Sequence, residues 1–268
     1  MTEQNEKQNT EGWDVGFDRT PSIQFHENGS VEICNVRNFR YECDGSHEAC
    51  WETRTYDLQT TRFVDFIVVP FAKRRDLAHT MVSFGFSDGR YLSISVEARR
   101  KVGQVYSVIK GIFRAYPLTY VIADERDVIG HRTEFRGDEV HLYRSAATAE
   151  ESASFLRSML QRADELHREP ENYNTLWNNC LTNLRDHVNA VWPGRAPWHW
   201  EVLLSGHADH LAYKLGLLKH DQSFETISKL ATINDLSKGQ WHRDDFSHLI
   251  RTRLGEYCPN VPSNSNNQ

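Results

Sequence analysis

Two alternating runs joined by a tight turn constrain the fold of this chain more than any other stretch. Val82, Phe84 and Phe86 alternate with Met81, Ser83 and Gly85, and Leu92, Ile94 and Val96 alternate with Tyr91, Ser93, Ser95 and Glu97. Successive strand residues point to opposite faces, so each run is a strand with one apolar row. Ser87-Asp88-Gly89 between them reads as a three-residue hairpin loop, with Gly89 in the left-handed position. Pairing Phe86 with Arg90 sets the register: 85 faces 91, 83 faces 93, 81 faces 95, and His79 faces Glu97. The apolar rows then share one face, and His79 and Glu97 meet on the other at a Cβ separation of about 5 Å. A slip of one residue would put the apolar rows on opposite faces. A histidine beside a glutamate is a base held in one tautomer by a carboxylate.

A nucleophile to match this base lies further along. Leu181, Leu184, Val188 and Val191 recur at the spacing of a buried helix face. Asn178 or Asn179 is a good N-cap, which places Cys180 in the first turn. Unpaired N–H groups and the positive end of the helix dipole favour thiolate there. A lone cysteine in such a place is ordinarily a small buried hydrophobe. With a base in reach it becomes a nucleophile, and Cys180, His79 and Glu97 make up a nucleophile, base and orienting carboxylate. Glu125 replaces Glu97 in the orienting role if the hairpin register is otherwise. The oxyanion of an acyl reaction would fall to the Cys180 N–H and the amide of Asn178 or Asn179. Arg99 follows Glu97 closely. Asp124-Glu125-Arg126-Asp127 ends the apolar strand 117–123, either as a substrate clamp or as a structural ion-pair network, with the network the better fit.

The remaining elements place these residues in an α+β chain. Residues 31–41, 62–70 and 139–143 read as further strands. Residues 149–167 form an amphipathic helix with Phe155, Leu156, Met159, Leu160, Ala163 and Leu166 on one face. Short helices are expected at 198–204, 208–217 and 224–230. Residues 1–25 read as a disordered tail, 26–238 as one domain, and 239–268 as a C-terminal extension that is disordered from about 259.

Composition narrows the partners. A formal charge of -6 argues against nucleic acid. No apolar run reaches the roughly 18 residues of a membrane span, and the polar start is no signal peptide. Of five cysteines, Cys43 and Cys50 flank a short polar turn and suit a local disulfide in an oxidising compartment. His207-Ala-Asp-His210 lacks further ligands nearby, so packing is the better reading, and no metal or other cofactor is expected. Trp177, Phe113, Leu176, Trp198 and Trp200 would line an apolar slot or simply form core.

The chain order His, Glu, Cys is the reverse of the papain-like order. It resembles that of the circularly permuted papain-like proteins, which include lecithin:retinol acyltransferase. The runs 35–41 (NVRNFRY), 54–58 (RTYDL), 79–86 (HTMVSFGF), 94–100 (ISVEARR), 123–127 (ADERD) and 173–183 (YNTLWNNCLTN) resemble the bacterial Lnb N-terminal periplasmic domain family. That family takes its name from a lipoprotein N-acyltransferase, which moves a fatty acyl chain onto the amino group of a lipoprotein's N-terminal cysteine. The resemblance implies a permuted papain-like fold in which an antiparallel sheet carries His79 and Glu97, helices pack on it, and Cys180 starts a helix. It also implies catalytic positions for these three residues, a lipid or lipoprotein substrate, peripheral membrane contact, and a place in the periplasm or cell envelope. The lack of a leader or membrane helix points instead to the cytoplasm or to a piece of a longer protein. The same three residues would equally serve a soluble thiol hydrolase acting on cell-wall peptides or lipids. A non-catalytic binding domain is the third reading. The sequence sets no oligomeric state.

Overall fold

The computed structural model describes residues 12–72, 74–199 and 205–256. The start of the expected N-terminal tail, the expected C-terminal disorder from about 259, Trp200 and Cys258 lie outside them. The strands are β1 Ser22–Phe25, β2 Ser30–Arg37, β3 Arg40–Tyr41, β4 His47–Glu48, β5 Trp51–Asp57, β6 Thr61–Phe71, β7 Arg74–Phe86, β8 Tyr91–Ala98, β9 Leu118–Ala123 and β10 His141–Arg144. The principal helices are α1 Val108–Ile112, α2 Ala149–Arg168, α3 Cys180–Val191, α4 Ala208–Lys214 and α5 Phe224–Ala231.

An eight-stranded sheet runs β1-β2-β9-β8-β7-β6-β10, with β5 paired to β2. It is mixed rather than antiparallel throughout: β2 meets β9 in parallel at Arg37↔Ala123. The β7–β8 hairpin has the register expected from its alternation, with Gly85 opposite Tyr91, Ser83 opposite Ser93 and Met81 opposite Ser95. Gly89 sits at φ 81, and the Phe86 N–H donates to the Arg90 carbonyl.

Both faces of the sheet are covered. Phe84, Leu92, Ile94 and Val96 pack with Phe155, Leu156, Met159 and Leu184 of α2 and α3. Met81, Val121 and Ala123 on the opposite face pack with Val128, Ile129, Ile227, Phe246 and Ile250. The result is three layers: helices α2 and α3, the sheet, and a layer built from residues 126–135 and from the chain between Phe224 and Leu254.

Two expectations about the ends need correction. The tail expected through residue 25 is ordered from residue 12: Trp13 bridges to Lys101, β1 pairs with β2, and Ile23 is buried. A few apolar anchors suffice where a sheet edge supplies the backbone partners. The segment expected as an extension past 238 belongs to the core, since Phe246, Ile250 and Leu254 are buried. Arg251 reaches Asp65 on β6 at 2.8 Å and pairs with Glu125.

Candidate active site

The site forms where the hairpin comes apart. The β7–β8 ladder stops at Met81↔Ser95. Beyond it β7 stays on β6 through Pro70↔Ala78 and, after an irregularity, Phe71↔Arg74, and β8 stays on β9 as far as Ala98↔Leu118. His79 and Glu97 therefore lie two residues past the last cross-strand pair. Their side chains line a cleft of about 430 Å³ together with Cys180, Asn179, Tyr173 and Arg132.

Cys180 is the first residue of α3. Asn179 is the N-cap: its side chain accepts from the Thr182 N–H at 2.9 Å, while the Thr182 hydroxyl accepts from the Asn179 N–H at 2.8 Å. This reciprocal cap fixes the helix start and leaves the Cys180 N–H among the first-turn donors without an intrahelical acceptor.

The imidazole is held from two sides. His79 Nε2 is 3.1 Å from Glu97 Oε1 and 2.6 Å from the Ser95 hydroxyl, which itself donates to Glu97 at 2.7 Å. The ring and the Cys180 thiol line the same cleft, and each shifts the other's proton affinity. Arg132 donates to Glu97 at 3.2 Å and to the Val128 carbonyl at 2.7 Å.

The electrostatics follow from these contacts. Burial alone would lower the basicity of His79, but the Glu97 charge and the hydrogen bonds to Cys180 and Glu97 raise its pKa to about 9. Burial would raise Glu97, yet His79 and then Arg132 hold it well below the usual carboxylate range. Burial would also raise the Cys180 thiol, and His79, followed by Thr80, outweighs it and brings the thiol down. The three shifts agree on an imidazolium beside an easily formed thiolate, with a charged carboxylate behind. His131 lines the same cleft, but burial and the Arg132 charge push it down to about 4, so it is neutral at neutral pH and is not the partner of the thiolate.

Several of the expected positioning residues are engaged elsewhere. Asn178 gives its amide N–H to the Asn172 carbonyl at 3.1 Å and accepts from Asn183 at 2.8 Å. Asn179 lines the cleft, but its amide N–H donates to the Thr175 carbonyl at 2.7 Å and its oxygen caps the helix. Arg99 donates to the backbone carbonyls of Phe17 and Asp18, which tie down the N-terminal segment. Glu125 is fully buried, accepts from Ser83 and pairs with Arg251, away from His79. Arg126 bonds Asp124 and Asp244. Asp127 accepts from Arg37, the Phe39 N–H and Tyr41, so the 124–127 cluster is a structural network.

Four contributors escaped the sequence reading. Ser95 had a signal, since it lies two residues before Glu97 and so shares its strand face. Arg132 had none, because it sits on a π-helical stretch, Arg126–Phe135, whose wide turn follows no apolar period. Thr80 follows His79 directly. Tyr173 is buried, and burial followed by the nearby Cys180 charge raises its pKa, so it stays a neutral O–H donor in the cleft. Phe113, Trp177 and Trp198 form neither slot nor core; they are exposed. Cys43 and Cys50 are free thiols. Among the described residues no group of three His, Cys, Asp or Glu could hold a metal, and no helix is long and apolar enough to cross a membrane.

Glu97→Gln tests the electrostatics directly. It keeps the shape of the side chain, removes its charge and leaves Arg132 facing the imidazole. The pKa of His79 should then fall and that of the Cys180 thiol rise. Alkylation of Cys180 at neutral pH is expected to slow by about tenfold to a hundredfold, with the acid limb of its pH profile moved upward. An unchanged profile would separate Glu97 from the pair.

Fold and cleft together define an α+β protein with a helix-start thiol, a strand-borne imidazole and a carboxylate in one cleft. The family model of the Lnb N-terminal periplasmic domain matches residues 47–206, more than half of the 268 residues, and the chain belongs to that family. The matched span includes His79, Glu97 and Cys180. No curated protein and no solved structure matches the chain.

Proposed function

We propose that this chain is a cysteine-dependent acyltransferase working through a thioester, on a permuted papain-like arrangement. The observation that carries the proposal is the His79 imidazole held by Glu97 in the same cleft as the helix-start thiol of Cys180. In the first half-reaction the Cys180 thiolate attacks the carbonyl carbon of an acyl ester. The C–S bond forms, the C–O bond breaks, and the leaving alkoxide takes the proton from His79. In the second, an amine attacks the thioester carbon. The C–N bond forms, the C–S bond breaks, and His79 takes the amine proton beside the regenerated thiolate. Glu97 holds the ring and stabilises its charged form. The Cys180 N–H and the Tyr173 hydroxyl are the donors the cleft offers to the oxyanion.

Intact-protein mass spectrometry after incubation with a bacterial phospholipid extract tests the thioester. The wild type should gain the mass of one fatty acyl group, removable by hydroxylamine. Cys180→Ser should gain none, or an adduct that resists hydroxylamine. Free fatty acid released without transfer to a peptide bearing an N-terminal cysteine would assign the site to hydrolysis instead.

A further inference from the structure

Among the described residues, the large apolar side chains that stand exposed are gathered on a few segments of the chain. Five fall between residues 102 and 113: Val102, Val105, Ile109, Ile112 and Phe113. The other three are Val15, Trp177 and Trp198. The exposures are large, 80% at Val105, 79% at Phe113 and 64% at Trp177. Single exposed apolar residues are ordinary; a group confined to one region is not.

The segments that carry them are joined to one another and to the cleft. The Val102 N–H donates to the Gly12 carbonyl, and Trp13 bridges to Lys101, so the strand of chain bearing Val15 lies alongside residues 101–102. The Asn174 side chain donates to the Ile112 carbonyl at 2.9 Å. Gly111 packs so closely on Thr175 that any side chain at 111 would run into the threonine hydroxyl. Trp177 stacks on Trp198 at 6.0 Å. Val15, Tyr106 and Thr175 line the Cys180 cleft itself. The segments that bear these groups thus border the Cys180 cleft and form a rim beside it, with Val15 itself in the lining.

Charge decides what the rim faces. Between Ala98 and Ala123 the chain has five basic residues and no acidic one, in a protein of net charge -6. Lys101, Lys110 and Arg114 are exposed among the apolar side chains. Apolar side chains interleaved with lysine and arginine are the composition of a surface that beds into a lipid interface, with the stems buried and the charged heads at the level of anionic headgroups. Aromatic and aliphatic groups without the basic residues would suit a protein partner better.

We propose that this rim docks the protein on an anionic lipid bilayer, with the Cys180 cleft opening onto the membrane. Ile109, Ile112 and Phe113 enter the boundary between headgroups and acyl chains, while Lys101, Lys110 and Arg114 meet the phosphates. The proposal builds on the acyl-transfer reading in one respect: an acyl ester would pass from bilayer to thiol without crossing water. The docking itself does not require the chemistry.

The test is sedimentation with vesicles of phosphatidylglycerol and phosphatidylcholine, beside vesicles of phosphatidylcholine alone. The wild type and Cys180→Ala should bind the anionic vesicles equally and the neutral ones more weakly, with binding reduced by salt. Ile109→Ser combined with Phe113→Ser should weaken binding by about a hundredfold, because two large apolar groups no longer leave water. Lys110→Glu should weaken it less and lower its salt dependence. All these positions are exposed, and an unchanged thermal midpoint confirms that each variant is folded. Binding by Cys180→Ala without any thioester in the wild type would keep the docking surface and remove the acyl-transfer reading. Equal vesicle binding by the Ile109/Phe113 double variant overturns the proposal. So does a wild type that ignores vesicles but self-associates in sedimentation velocity, with the association lost in the double variant; that result assigns the rim to a second copy of the chain.

Discussion

Replacing His79 with Gln is expected to cut the alkylation of Cys180 at neutral pH by roughly a thousandfold, within the range associated with loss of a positioned acid–base group. The thiol is buried, and burial by itself favours the neutral form. His79 is the largest of the influences that oppose burial, through both its charge and its hydrogen bond. Gln keeps a hydrogen-bonding side chain of moderate size but carries no charge, so the thiol should return to or above its ordinary range. The pH dependence distinguishes this account from a simple packing defect. With a His79 pKa of about 9, the charged pair persists across neutral pH. Thioester formation should rise as the thiol ionises and fall again near pH 9, where the imidazolium proton needed by the leaving group is lost. Alkylation needs only the thiolate and should show the first limb without the second. The linked stability has a fixed sign. The raised pKa of His79 contributes stability that is complete below its unfolded value of about 6.5 and is lost as pH rises through about 9. The depressed Glu97 acts oppositely: its contribution holds above the ordinary carboxylate range and is lost as pH falls. A His79→Gln protein that alkylates at the wild-type rate would end the assignment of His79 as base.

The sequence reading succeeded where the determinants are local. A period of two, a turn with a left-handed glycine, and one apolar face per strand specify the β7–β8 register without help from the rest of the chain. The helix 149–167 was legible for the same reason; a Thr148–Glu151 capping box and a regular apolar stripe define it, and it ends at Arg168. The parting of β7 and β8 past Met81 and Ser95 was not legible, because it depends on β6 and β9 drawing the two strands apart. The same limit applies to β1 and β5, which are held by pairing to β2. Residues 12–25 are polar enough to look unstructured, yet Trp13, Phe17 and Ile23 secure them. The ring of exposed apolar side chains was hidden by a sound rule: large aromatics usually belong inside. Phe113 and Trp177 break it only because of where α1 and the approach to α3 sit in three dimensions. Arg251 lies 186 residues from Asp65, and no local pattern announces such a pair.

That long-range pair sets the largest stability effect expected for a residue outside the cleft. Arg251 bonds Asp65 on β6 and both oxygens of Glu125 at the end of β9. Glu125 in turn accepts from Ser83 on β7, and Asp65 from Arg144 on β10. The network therefore fastens the C-terminal segment across four strands, on the sheet face that also carries His79 and Met81. Both carboxylates are fully buried. Arg251→Met keeps much of the apolar stem and removes the charge, which leaves Glu125 without a cationic partner in a dry interior. The cost of breaking such a buried pair from one side is roughly 3–5 kcal/mol. For a chain of this size it corresponds to a thermal midpoint lower by about 10 °C. Removing the second partner as well should recover part of the loss, so Arg251→Met with Glu125→Gln is expected to be more stable than Arg251→Met alone. The coupling from a double-mutant cycle measures the interaction without counting the stranded charge twice. If Arg251→Met melts within a degree or two of the wild type, the C-terminal segment is not a fastening of the sheet. If it melts early but the second change restores nothing, the contact of the guanidinium with the Tyr91 ring, 4.2 Å away, accounts for the loss instead of the carboxylate pairing.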